Sequence, residues 1–552
     1  MLKSLFAGLI MAAAAHATAG QARDLTIGIT QYPATLHPNI ESMAAKSYIH
    51  GMTLRPFTAF DAQWELRCYL CVTLPTLENG LAVREDAADS DVDGVALTFE
   101  IHPDATWGDG TPVTTADVMF TWEVGRHPLS GVSNAELYRR ILEIDVIDDK
   151  NFVMHNEKLD FTYNAINDFR LLPAHLEREV FEQEPETYRN RTKYDTDPTN
   201  PGLWLGPYAV TDLVQGSHIV LGRNAYWYGD QPVFDQLVVR AIENTAALEA
   251  NLLSGEIDMI EGVLGLTLDQ ALAFEQRHGD QFTVFTKPGL IYEHIDVMLD
   301  NPILDDKPVR QALMYSINRQ SLSDQLFAGQ QPVAHTSVHP LDWVYSDNVR
   351  QYPYDLDEAN RLLDEAGWAM GADGVRVNAA GERLQLTIMT TAGNRTRELV
   401  QQFLQSQWQL AGVAVDIVNQ PARVLFGETI RQRQFTGLAM FAWISSPENV
   451  PYTTLHSESI PTADNGWSGQ NYTGYVNSRM DALIDAIEVE LDREQRAVLW
   501  QELQEIYAEE LPALPLYFRS DAHVWPKWLQ GIEPTGHLAP TTLHIENWEI
   551  SE

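Results

Sequence analysis

Alternation and helical spacing divide this chain into short elements, and the sharpest run spans Leu97 to Glu123, LTFEIHPDATWGDGTPVTTADVMFTWE. Leu97, Phe99 and Ile101 alternate with Thr98, Glu100 and His102, the period of two that turns one strand face to a core and the other to water. Gly108, Asp109, Gly110 and Pro112 predict a tight turn, because glycine enters positive φ without strain and proline pre-sets its own φ. Thr114 is placed to cap a helix, with Asp117 three residues on to favour its free amides, and Val118, Met119 and Trp122 supply its buried stripe.

The same signals recur along the chain. Leu25, Ile27 and Ile29 predict a strand in DLTIGIT, the prolines of QYPATLHPN forbid a helix, and residues 41 to 51 predict a short helix closed by Gly51. GPYAVTDLVQGSHIVLGRNAYWYG reads as two strands turning at Gln215-Gly216, and FDQLVVRAIENTAALEANLLSGEIDMIEG as a strand, a helix and a further strand. In DDKPVRQALMYSINRQSL, Asp306 and Pro308 suit a helix start, and in YDLDEANRLLDEAGW Gly367 suits a helix stop. LQLTIMTT, a helix from Arg395 to Ala411 and VAVDIV make a βαβ unit, so part of that sheet is expected to be parallel. Asp492 with Gln495 caps a last long helix before the buried strand LPALPLYF.

With 552 residues and 45% apolar composition, two or three domains with full cores are expected. Lys3, the apolar stretch from Leu5 to Ala15 and the small residues to Ala19 give residues 1–22 the pattern of a secretory signal peptide. Export to the periplasm follows, with no cysteine near the cleavage site to carry a lipid anchor and no later apolar run long enough to span a bilayer. A net charge of −40 repels nucleic acid and anionic lipid, and favours solubility or a cationic ligand. Cys68 and Cys71 stand as CxxC; after export a local disulfide is expected, with two reduced thiols, a zinc site or redox chemistry as the alternatives.

The strand, the HPDATWGDGTP turn and the TTADVMFTWE helix resemble the most recognisable segment of the extracellular solute-binding protein family 5, the dipeptide and oligopeptide binders that feed ABC importers. The Gly-Pro-Tyr hairpin, SGEID, DDKPVRQALMYSINRQSL and YDLDEANRLLDEAGW resemble further family segments in the family's order, over essentially all of residues 24 to 530. The resemblance implies an α/β fold of the periplasmic-binding-protein type II kind. It implies a discontinuous first lobe (23–58, 203–288 and 517–552), an inserted α/β domain (59–202) and a second lobe (289–516). It also implies hinge closure at crossings near Pro288 and Leu516, docking of a monomer on ABC permease subunits, and no chemistry.

The chain carries no nucleophile elbow, phosphate-cradling loop or His-Glu-x-x-His helix, so no enzyme class is favoured and no cofactor or metal is expected. A periplasmic hydrolase and a purely structural partner protein remain as the other classes. His335 and His339, four apart in QPVAHTSVHP, read as surface or hydrogen-bonded histidines, with metal binding the alternative. For a binder, aromatic and polar side chains facing across a cleft are what matters. Tyr32, Tyr292, His294, Trp443, Tyr452, Trp467 and Tyr472 are the candidates, each also explicable as core. Trp443 matches the position where the family's peptide binders carry a tryptophan beside the ligand. The aspartate that follows in those proteins and pairs with the peptide's amino group is absent: FAWISSPENV has Ser445 and Ser446 there, with Glu448 the nearest acid. Gln470, Asn471 and Tyr472 suit neutral polar ligands, or else satisfy a loop backbone. The expected ligand is a peptide or other small polar solute, with an oligosaccharide, amine or metal chelate as alternatives.

Overall fold

The structure, a computed structural model, describes residues 23–40, 43–86, 93–242, 244–421, 424–464, 469–537 and 540–551. The expected leader, residues 1–22, lies outside them. One 10-stranded sheet runs through the molecule. On one side Asp24–Ile29 pairs in parallel with Gln236–Ala241 and Met259–Ile260, and the expected hairpin Tyr208–Val214 and His218–Arg223 forms the edge. On the other side Gln385–Met389 pairs in parallel with Ala414–Ile417 and Leu438–Ile444, so the βαβ expectation holds.

Two long strands, Phe282–Val297 and Ala513–Pro526, pair antiparallel through the middle and join the two sides. Their ladder breaks twice. Gly289 and Leu290 are left over between Pro288 and Ile291, and Leu516 is left over between Pro515 and Tyr517. Such bulges bend a strand and increase its twist. At the first break a side chain at Gly289 would meet the Gly536 carbonyl at 2.8 Å, and Leu290 N–H donates to that same oxygen at 2.8 Å.

A second sheet of 4 strands is antiparallel and contains Gly94–Glu100, the strand expected from the alternation of Leu97, Phe99 and Ile101. Gly110 takes φ +87° in the turn, and the helix Thr115–Arg126 begins with a complete capping box between Thr114 and Asp117. Asp117 does more than complement the helix end. It is buried, and besides the Thr114 amide at 2.9 Å it accepts from the Ala174 amide at 2.8 Å and the Trp107 indole at 3.2 Å. Three separate segments are thereby tied to one carboxylate. The hydrophobic residues of this region, Phe99, Trp107 and Phe152 among them, join Leu25, Tyr48, Phe57 and Trp548 in one cluster, so segment 59–202 packs onto the first side of the sheet. A different cluster, with Leu313, Trp408 and Leu514, lies under the other side.

One helix boundary differs from expectation. The first helix is Ala44–Thr53, and Gly51 sits inside it rather than closing it. A β-carbon there would lie 2.3 Å from Thr542 Oγ1, so this glycine permits a close approach instead of a stop. A second helix also differs: Asp306 makes no side-chain capping bond, and the helix expected over DDKPVRQALMYSINRQSL is two, Lys307–Tyr315 and Arg319–Phe327, the latter capped by Asn318. Other punctuation acts as read. Asp492 accepts from the Gln495 amide at 2.9 Å, Gly367 takes φ +86° after the helix Leu356–Glu365, and Cys68 and Cys71 form a disulfide.

Candidate ligand-binding cleft

Two cavities of about 420 and 220 Å³ share Ser446, the larger lined by the first side of the molecule and that serine, the smaller lined wholly by the second side. The larger is walled by Pro38 and Asn39, by residues between 46 and 60, by Val132, Ser133, Asn134 and Tyr138, by Asn167, Asp168 and Arg170 and by His537, Pro540 and Leu543, together with Ser446 from across the cleft. The smaller is walled by 290–296, 337–344, 443–455 and 500–513. At the rim the two sides touch. Lys158 Nζ lies 2.7 Å from Glu488 Oε2, Phe161 N–H donates to the Glu488 carbonyl at 3.0 Å, and the Trp64 ring packs edge-on against His339 at 5.8 Å.

Five of the expected residues line the smaller cavity: Tyr292, His294, Trp443, Ser446 and Glu448. Strand alternation explains part of this. Tyr292 and His294 are two apart on one strand and Trp443 stands directly opposite Tyr292 on its partner, so all three share a face. Tyr472, Trp443, His294 and Tyr292 form a row of near-parallel rings, successive centroids 6.0, 6.2 and 5.0 Å apart. The Tyr292 and Tyr507 hydroxyls are 2.9 Å apart, and His294 Nε2 lies 3.1 Å from Asp296 Oδ1.

Of the other expected residues among those described, Gln470 lines the smaller cavity and the rest line neither. Tyr472 backs Trp443, and Tyr452 stacks on His456 at 4.4 Å with its hydroxyl donating to Glu458, while its neighbours Pro451, Thr453 and Thr454 form the wall. Tyr32 packs against the first core. Asn471 is fully buried and its amide donates to the carbonyls of Leu455, His456 and Tyr475, so it satisfies a loop backbone; Gln470 is the one that faces the cavity. Trp467 lies outside the described residues.

Glu448 has a position unlike the one expected of an amine ligand. Its backbone takes φ +52°, and its carboxylate is held by the Arg496 guanidinium and, at 2.9 Å, by the Trp343 indole. Arg496 in turn lies over the rings of Phe161 and Trp343 at 4.5 and 5.3 Å. The charge of Glu448 is therefore already neutralised by the protein.

Sequence reasoning missed most of the polar lining. In the larger cavity stand Lys46, His50 and Arg170, with Asn39, Asn134, Asn167 and Asp168. Lys46 is buried and donates to the carbonyls of His37 at 2.9 Å and Ile40 at 2.5 Å. Burial first, then the charges of Arg170 and Lys46, hold the His50 imidazole well below its ordinary pKa. Arg170 is 28% exposed, its guanidinium 3.5 Å from Asp168. In the smaller cavity stand Asp296, Asp342 and His339. Burial raises the Asp342 carboxyl to about 6 and lowers the His339 imidazole to about 4. The larger cavity thus holds the Lys46 ammonium and the Arg170–Asp168 pair, and the smaller holds three carboxylates, one of them paired with Arg496. His335 and His339 form no metal cluster among the described residues.

The family model described as bacterial extracellular solute-binding proteins, family 5 Middle, matches residues 76–461, more than half of the chain. The chain belongs to this family. It is 25% identical over 547 residues to the oligopeptide-binding protein AppA of Bacillus subtilis strain 168, covering 96% of this chain and 92% of that one. Among solved structures it is similar to the oligopeptide binding protein from Thermus thermophilus complexed with a pentapeptide, with 31% identity, a TM-score of 0.75 and 96% of each chain covered. NikZ from Campylobacter jejuni, in complex with Ni(L-His), has a TM-score of 0.74 at 22% identity, covering 95% of this chain and 99% of that one, a likeness of fold. The fold is that of the family's type II periplasmic binding proteins, and the chain is a solute-binding protein. No helix among the described residues is long and apolar enough to cross a membrane.

Proposed function

We propose that this protein captures a peptide between its two lobes in the periplasm and hands it, unaltered and as a monomer, to the permease subunits of an ABC importer. The observation that carries the reading is the cleft itself. Its walls come from both sides of a sheet joined by two long strands, and one residue, Ser446, lines both of its cavities. Its stated volumes suit a small solute. The 31% identity with a pentapeptide-bound protein over 96% of the chain supports a peptide as that solute. Closure about the strand breaks at Gly289 and Leu516 would bring the walls together, and the ligand drives it only by its differential affinity for the closed form.

Thermal shift against tri- to pentapeptides, oligosaccharides, amines and metal chelates tests this. A peptide at about 100 times its dissociation constant adds roughly 2.7 kcal/mol of stability. A melt that moves with a chelate or sugar and with no peptide would assign the cleft to that other class, and a melt that no ligand moves would leave a structural partner protein as the better reading.

A further inference from the structure

The smaller cavity holds three carboxylates, and they are not equivalent. Asp296 faces the ring of His294 at 3.1 Å, and Glu448 faces Arg496. Asp342, only 7% exposed, faces backbone N–H groups: it accepts from Glu448 N at 2.7 Å and more weakly from Val344 N at 3.4 Å. Among the described residues no lysine, arginine or histidine forms an ion pair with it. A carboxylate has about four lone-pair sites, so two amides leave capacity for a further donor.

Three residues earlier on the same turn stands His339, 2% exposed, and the Asp342 amide donates to its carbonyl at 2.9 Å. His339 Nδ1 accepts from the Leu341 amide at 2.9 Å, so the ring proton must sit on Nε2 in the neutral imidazole. That Nε2 is buried and has no partner among the described residues, although His339 lines the same cavity. Unsatisfied buried donors are rare and ask for an acceptor. One turn in the cavity wall therefore carries a carboxylate without a cation and an N–H without an acceptor among the described residues.

We propose that the His339–Asp342 turn is the subsite for a primary ammonium and the carbonyl beside it, the free amino end of the ligand. This rests on the peptide reading and specifies it. Glu448 cannot serve while Arg496 holds it, so the acid missing after Trp443 is supplied from a segment about a hundred residues earlier. An arriving ammonium brings the charge that Asp342 lacks, which favours the ionised carboxyl.

The pH dependence has a definite sign. The titratable and charged groups around Asp342 are Glu448 on the facing loop, Arg496 behind it, His339 on its own turn, Tyr507 on the long helix, and His294 and Asp296 on the crossing strand. The Glu448 charge works with burial to raise the Asp342 carboxyl. Ammonium binding needs the ionised form, so affinity for a free-amine peptide is full well above pH 6 and falls as pH drops through about 6.

The test is calorimetric titration of a peptide and its N-acetylated form, between pH 5 and 8, on the wild type and Asp342→Asn. Asparagine keeps an oxygen for the Glu448 amide. The expected result is a preference of roughly thirty-fold or more for the free amine at pH 7.5, shrinking toward pH 5, with a flat profile for the acetylated form. In Asp342→Asn the preference and the slope both disappear. Equal binding of the two forms by the wild type, or a preference that survives in the variant, overturns the subsite while leaving the peptide reading in place. A wild type that binds neither form overturns both. Because the wild-type pH profile is read without any substitution, a variant that fails to fold does not decide the outcome.

Discussion

The two halves of the cleft are built from different kinds of chain and differ in charge. The smaller cavity is floored by regular strands, whose alternation sets Tyr292, His294 and Trp443 on one face, and it collects carboxylates. The larger is walled by a helix, loops and strand ends drawn from four distant segments, and it collects Lys46, His50 and Arg170. A zwitterionic solute laid across Ser446 would place one end near Asp342 and the other near Arg170. A regular element carries its site residues at readable spacing, whereas a wall assembled from loops does not.

The largest effect that would sharpen this contrast lies in the smaller cavity. Glu448→Gln leaves Arg496 buried without its carboxylate, both side chains being about nine-tenths buried, and we expect a loss of about 3 kcal/mol in chemical denaturation. A loss under about 0.5 kcal/mol would show that the pair does not hold the cavity wall together. Trp443→Ala comes next. It removes a ring stacked between His294 and Tyr472, so peptide affinity should fall by roughly 2 kcal/mol while the empty protein loses about 1 kcal/mol of stability. A stability loss exceeding the affinity loss would place Trp443 with the core rather than the cleft.

The disulfide bears on the other half. Cys68 ends a strand paired with Thr58–Phe60, whose Ala59 and Phe60 line the larger cavity. Opening so short a loop by Cys68→Ser and Cys71→Ser should cost about 2 kcal/mol, seen equally as a lowered melt of the wild type in reductant. An unchanged melt in reductant would mean that the staple does not stiffen that wall. The smallest effect concerns Arg170, which is part-exposed and shares its charge with Asp168. Arg170→Ala should weaken a peptide with a free carboxyl end by about 1 kcal/mol and leave its C-terminally amidated form alone. Equal weakening of both would remove the charge contrast between the cavities.

Much of the fold was legible because its signals are local. The Thr114–Asp117 box, the Gly110 turn and the Asp492 cap are each decided within a few residues, and the parallel βαβ unit within one stretch from Gln385 to Ile417. Gly51 misled because its role is set by Thr542, almost five hundred residues away. The site was legible where it lies on strands and near Ser446. Asn471 and Tyr452 stood close in sequence to the true wall but turned inward to bond their own loop or stack on a neighbour. Asp342, His339, Lys46 and Arg170 carried no periodic signal, since only the assembled chain places them in one space.

Two lobes joined by two bulged strands are expected to close on a solute held between them. Small-angle scattering of the protein, empty and saturated with a peptide shown to bind by calorimetry, tests it most directly. A smaller radius of gyration is expected in the saturated protein, and an unchanged radius at full saturation would contradict closure.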